Sequence, residues 1–261
     1  MFVDSHAHID GHEYDDDREE VIQRARAAGV RAILTVGTGD PHSDGLERAI
    51  ELAESHSDIY AAIGTHPHDA KLFDKTAEEK ISRLATSSSR VVAWGEIGLD
   101  YHYDNSPREV QRQAFRRQLV LAREAKLPVI IHTREAEPDT IEILREEWMS
   151  AGLGGVMHCF SGSLELARAA LDLGFMISFS GVITFKKADE LRSVAAQVPL
   201  ERLLIETDCP YLTPVPFRGR RNEPAHVVEV ATALANIHEK SREEIGRITS
   251  ENFAKLLRID L

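Results

Sequence analysis

Eight short apolar runs, each followed by a polar stretch long enough for a helix, constrain this chain more than any other feature. They fall at 2–4, 31–37, 60–64, 91–95, 128–132, 154–158, 175–179 and 202–207. Most are β-branched or apolar without strict alternation, as in Arg31-Ala32-Ile33-Leu34-Thr35-Val36-Gly37, the pattern of strands buried on both faces. Strand–helix alternation repeated in this way implies parallel pairing with right-handed crossovers. Eight such units close naturally on themselves. The expected class is therefore α/β, a (β/α)8 TIM barrel, with a doubly wound open sheet as the alternative. The 261 residues suit that barrel, and no Gly/Ser-rich linker divides them, so one barrel over 1–261 is expected.

Helix boundaries are marked chemically. Ser106-Pro107-Arg108-Glu109 reads as a cap, a proline at the first helical position and a capping-box glutamate. Thr76 with Glu79 and Ser241 with Glu244 repeat the box. Over 107–126, Val110, Ala114, Phe115, Leu119 and Ala122 form a helical stripe. The acidic run Glu13–Asp17 is expected to be a solvated helix start. Residues 223–257 are expected to form two helices that close the barrel.

Charge narrows the partners. The net charge is −12, which weighs against a protein that wraps or slides along nucleic acid by neutralising phosphates. It does not exclude an enzyme that takes one strand end into a pocket, where metals and a few arginines supply the positive field. No window has the apolar length of a membrane span, and Met1–His6 does not read as a signal peptide. Two cysteines are too few for a disulfide framework, so a reducing cytoplasm is the expected compartment.

The chemistry gathers at the strand ends. Strand 1 runs into Asp4-Ser5-His6-Ala7-His8, and residues two apart on a strand face one side, so one cation can take both imidazoles. Strand 4 ends in Glu96, strand 5 in His132, strand 6 in His158 and strand 8 in Glu206-Thr207-Asp208. All lie at carboxyl ends of strands, which converge on one mouth of a closed barrel. His6, His8, Glu96, His132, His158 and Asp208 are more ligands than one zinc uses. They suit two divalent ions, Zn²⁺, Mn²⁺ or Mg²⁺, bridged by Glu96, since strand 4 lies between the histidine groups. Cys159 and Cys209 each follow a ligand by one residue, and alternation turns them away as packed small side chains.

These motifs, in order, resemble a known family. Asp4-Ser5-His6-Ala7-His8, Thr65-His66-Pro67-His68, Gly95-Glu96-Ile97-Gly98-Leu99-Asp100-Tyr101, His132-Thr133-Arg134, His158-Cys159-Phe160-Ser161-Gly162 and Glu206-Thr207-Asp208-Cys209-Pro210-Tyr211-Leu212 look like the motif series of the TatD family. Pro216 to Pro224 is similar to its late loop. Thr133 departs from a common serine. The resemblance covers nearly the whole chain. It implies a metal-dependent hydrolase, usually described as a deoxyribonuclease, with the six residues above as metal ligands.

Phosphodiester hydrolysis fits this constellation. Asp208 is expected to ligate a metal and orient the attacking water, while Glu206 holds a ligand or relays a proton. Asp4 shares the parity of His6 and His8 and supports them from behind. His66 or His68 is expected to contact the scissile phosphate or protonate the leaving oxygen, the alternative being a turn around Pro67. Arg134, Arg218, Arg220 and Arg221 are candidate phosphate contacts. Tyr101, Tyr103 and Phe160 are candidate base-stacking rings. The expected enzyme is a 3′–5′ deoxyribonuclease acting on single-stranded or frayed DNA ends, a monomer with no membrane association. A deacylase or amidohydrolase acting on an ester or amide, such as an aminoacyl-tRNA, shares the same metal chemistry. A partner-binding scaffold would lack ligands, and none of the six is missing.

Overall fold

A computed structural model describes residues 1–261. Eight parallel strands run in sheet order β1 to β8: β1 (Phe2–Ala7), β2 (Val30–Gly37), β3 (Ile59–Ile63), β4 (Val91–Asp100), β5 (Val129–Arg134), β6 (Gly155–Met157), β7 (Phe175–Phe179) and β8 (Leu203–Ile205). Strictly sequential parallel order is the barrel topology and rules out the open doubly wound sheet. The helices are α1 (Arg18–Ala27), α2 (Gly45–Ser55), α3 (Lys75–Leu84), α4 (Arg108–Ala125), α5 (Glu137–Glu147), α6 (Leu164–Asp172), α7 (Asp189–Ala195), α8 (Val227–Ile237) and α9 (Arg242–Leu257).

Two apolar layers follow from the alternation along each strand. Val3, Ala32, Tyr60, Val92, Ile130, Val156, Met176 and Leu204, one from each strand, join an inner cluster that packs against Phe253 and Leu257 of α9. Their neighbours, such as Ile33, Ile59 and Ile131, belong to the outer cluster with Phe115, Leu119 and Leu234 of the helices. The seam between β8 and β1 closes through Asp208 N–H to His6 O (3.0 Å) and His8 N–H to Cys209 O (2.8 Å). Below these, the buried Asp4 carboxylate accepts from Thr207 N (2.9 Å) and Thr207 Oγ1 (2.5 Å). Asp4 thus ties the two strands whose ends carry His6 and Asp208. No helix is long and apolar enough to cross a membrane.

Three local expectations change. Ser106 does not cap α4: its hydroxyl donates to His68 O (2.7 Å) and accepts from Lys71 N, so it ties a loop instead. Thr76 lies inside α3, whose cap is Asp74, accepting from Ala77 N (2.9 Å). The Glu13–Asp17 run is not simply solvated. Tyr14 within it is buried, Asp15 pairs with Arg18 and Arg48, and Asp17 pairs with Arg24 and Arg221. The Ser241–Glu244 capping box is present, and α8 and α9 follow as read from the sequence.

Candidate metal centre

Strand ends from all around the barrel deliver the site. β1 supplies His6 and His8, whose Nε2 atoms face each other at 3.2 Å. Asp208 Oδ1 lies 3.6 Å from His8 Nε2 and 3.8 Å from His6 Nε2. Glu96 on β4 is nearly buried, and its two oxygens face different partners. Oε2 lies 3.6 Å from His6 Nε2, whereas Oε1 lies 2.8 Å from His132 Nδ1, 3.0 Å from His158 Nε2 and 3.4 Å from His66 Nε2. One carboxylate therefore joins two donor groups, His6-His8-Asp208 and His66-Glu96-His132, with His158 between them.

This donor set fits metal ions. Ligand atoms about 2.0–2.2 Å from a shared cation lie roughly 3–3.5 Å apart, close to the separations seen here. The charges agree. Burial opposes ionisation of Glu96, but His158, His66 and His132 outweigh it and hold the carboxyl well below its usual range. Burial likewise opposes protonation of His8, yet Asp208 and Glu96 raise it to about 9. Burial holds His66 down to about 4 and His6 well below its usual value, keeping both rings neutral as ligands require. Against burial, Asp100 and Glu96 raise His132, and Glu96 and Glu206 raise His158 well above its usual value, so the carboxylates draw positive charge to the mouth, which divalent ions would supply in place of protons.

A ring of orienting groups stands behind these donors. Glu206 is completely buried, and its Oε1 accepts from His158 Nδ1 and Cys159 N, both at 2.8 Å. It is not poised at the open mouth but fixes the His158 ring. Asp100, at the end of β4, contacts His132 Nε2 (3.0 Å) and His68 Nε2 (3.1 Å) through Oδ2, and its Oδ1 accepts from the backbone of His102 and Tyr103. The sequence reading missed Asp100 as a site residue because it ended strand 4 at Gly95. The strand runs to Asp100, so Glu96, Gly98 and Asp100 share one face. Gly98 makes this possible: its φ is +141°, and a Cβ there would lie 2.0 Å from His132 O.

His66 both caps the following turn, accepting from His68 N (3.1 Å), and faces Glu96. Cys159 corrects the alternation argument. β6 ends at Met157 and Cys159 has φ +43°, so its thiol lies with His158 and Asp208 at the mouth rather than away from it. Cys209 is buried as expected.

The mouth opens into a cavity of about 880 Å³ lined by His8, His68, Glu96, Arg134, Tyr103 and Tyr211 among others. Arg134 lies over the Tyr103 ring at 4.8 Å. Arg218 and Arg221 do not line it. Arg221 pairs with Asp17 (2.5 Å) and donates to Glu13 O, and Arg218 lies 4.0 Å from the Phe185 ring centroid. Phe160 is buried, and Tyr101 lies outside the cavity lining with the Arg108 guanidinium 4.4 Å over its ring, so neither ring is placed to stack in the mouth.

The profile of the family described as TatD related DNase matches residues 3–258. The chain belongs to the TatD family. A TatD relative from Bacillus subtilis, named as an uncharacterized metal-dependent hydrolase, is 49% identical over 262 residues, covering 100% of both chains. A protein of Pectobacterium parmentieri named 3′-5′ ssDNA/RNA exonuclease TatD is 36% identical, covering 95% of each. The crystal structure of YjjV, a TatD homologue from Escherichia coli, superposes with a TM-score of 0.92 at 33% identity, covering 99% of this chain and 98% of that one. The chain is a metal-dependent hydrolase of the TatD family.

Proposed function

We propose that this TatD-family hydrolase is a 3′–5′ exonuclease trimming single-stranded or frayed DNA ends with two divalent ions, Zn²⁺, Mn²⁺ or Mg²⁺. The observation that carries the reading is Glu96, whose two oxygens face separate histidine groups. Bound there, a pair of divalent ions would supply an acidified water and a positive field for phosphate oxygens. His6, His8 and Asp208 would hold one, and His132 and His158 the other, with Glu96 shared, while His66, 3.4 Å from Glu96 Oε1, stands beside them to contact the phosphate or the leaving oxygen. Asp208, in the cavity wall, also orients the attacking water. His68, held by Asp100, faces the same cavity and is placed to contact the phosphate or give a proton to the leaving oxygen. Glu206 acts through His158 as a positioning group.

The substrate class rests on the surroundings. Tyr103 and Tyr211 line the cavity yet are 55% and 57% exposed, aromatic faces suited to unstacked bases. Arg134 offers a guanidinium beside Tyr103. Arg218 stands farther out for the strand, whereas Arg221 anchors its loop. The Pectobacterium relative carries the exonuclease name. Both cysteines are free, in keeping with a reducing cytoplasm.

Oligonucleotides labelled at either end, digested by the metal-loaded protein, test this. Successive loss of single nucleotides from the 3′ end, abolished by a chelator, is expected. Closed circular DNA cut as fast as linear strands would make it an endonuclease. No DNA cleavage beside efficient hydrolysis of an aminoacyl ester would establish the deacylase reading instead.

A further inference from the structure

A second cavity, of about 580 Å³, adjoins the first and shares Ser161 and Val182 with it. It opens between the start of α6 and the face of α7, walled by Leu164, Phe185 and Leu191, with Lys187 at its edge. Apolar walls of this kind take the faces of a nucleobase, and a lysine beside them takes a phosphate as a point charge. The volume exceeds one nucleotide, and continuity through Ser161 and Val182 gives a strand a path out of the catalytic mouth.

The charges along this path are unusual for so acidic a chain. Lys186 and Lys187 are exposed, and neither forms an ion pair. Arg218 also lacks a carboxylate partner; it stacks on Phe185, a wall of the cavity, and donates only to Thr213 O at 3.3 Å. The loop carrying it is pinned to the cavity by Val215 N–H donating to Thr184 Oγ1 (2.9 Å). Two carboxylates also line the cavity. Glu137 is committed to Ser163, whose N–H (2.8 Å) and hydroxyl (2.5 Å) donate to it, and Glu190 is exposed. Lys187 therefore stands in the cavity wall without a carboxylate partner, Lys186 precedes it in the chain, and Arg218 backs the Phe185 wall from the β8–α8 connection.

We propose that this second cavity binds the nucleotide upstream of the scissile phosphate, with its base between Leu164 and Leu191 and its 5′ phosphate on Lys187. The inference rests on the exonuclease reading above. It makes substrate length, not the metal site alone, a determinant of affinity: the enzyme grips a strand on both sides of the bond it cuts.

The test is the steady-state cleavage of oligothymidylates from dinucleotide to octanucleotide, with bis(4-nitrophenyl) phosphate as a substrate too small to reach the cavity. The variants are Lys187→Glu and Leu164→Trp, the first on an exposed position and the second filling the hollow, each checked for an unchanged melting midpoint. For the wild type, KM should fall from the dinucleotide, whose upstream base fills the hollow but lacks the 5′ phosphate, to the trinucleotide and then level off. Leu164→Trp should raise KM about tenfold for every oligonucleotide, and Lys187→Glu about tenfold for the trinucleotide and longer, each the size of one lost contact, with kcat and the model ester unaffected. Variants with wild-type KM values, or a wild type with no length dependence, would overturn the cavity assignment while leaving the exonuclease intact. Failure of the wild type to cut any oligonucleotide, with the model ester still hydrolysed, would remove the exonuclease reading and this inference with it.

Discussion

Asp208 and Glu206 lie two residues apart at the end of the same strand, yet their surroundings give them different tasks. Asp208 has φ +54° and lies in the wall of the mouth near both His6 and His8. Glu206 is sealed behind His158. Replacing Asp208 with alanine removes a donor and the group that orients water. Hydrolysis should fall by several orders of magnitude, as expected when water activation is lost, with the cooperative melt preserved. A variant keeping a tenth of the rate would refute that role. Glu206→Gln keeps the shape but weakens the hold on His158 Nδ1. It should lower zinc affinity about 10–100-fold, read by calorimetric titration. Unchanged affinity would show that His158 needs no such support. The two residues were legible as a pair from their parity, but parity alone does not reveal which one is buried.

The strand is the element that turns sequence pattern into a site. Eight apolar runs, patterned for burial on both faces, placed six polar side chains at their carboxyl ends, so the mouth was legible in the sequence. What escaped were residues beyond a misjudged strand end. The apolar run ends at Gly95, yet the lack of a Cβ at Gly95 and Gly98 lets β4 continue against β5, and Asp100 comes with it. Cys159 escaped for the opposite reason, because β6 stops early and alternation no longer applies. Helix starts were legible where a side chain reached its own helix, as at Ser241, and not where a loop competed for it, as at Ser106. Gly98→Ala tests the β4 account. Its Cβ would meet His132 O at 2.0 Å, so the strands must separate. A loss of about 2 kcal/mol or more in unfolding free energy is expected, together with weakened metal binding through displaced His132. A variant as stable and metal-competent as the parent would show that the close approach is not required.

At the scale of the whole molecule, an acidic protein keeps a few cations without carboxylate partners around its catalytic mouth. The net charge of −12 predicted a local substrate grip rather than a basic stripe, and Arg134, Lys187 and Arg218 are arranged in that way. Sequence reasoning placed Arg221 in the same role. It could not see that Asp17, more than two hundred residues away in the chain, takes that guanidinium for itself. Family membership and barrel follow from the order of motifs and strands, while the second cavity depends on how α6 and α7 lean together, which no local pattern encodes. The central claim is that one carboxylate, Glu96, joins two metal positions. Anomalous scattering from crystals of the zinc-loaded protein tests it most directly. The account predicts two ions a few ångströms apart, one on each side of Glu96, with His6, His8 and Asp208 around one and His132 and His158 around the other. A single ion at full zinc loading, or two ions that share no oxygen of Glu96, would contradict it.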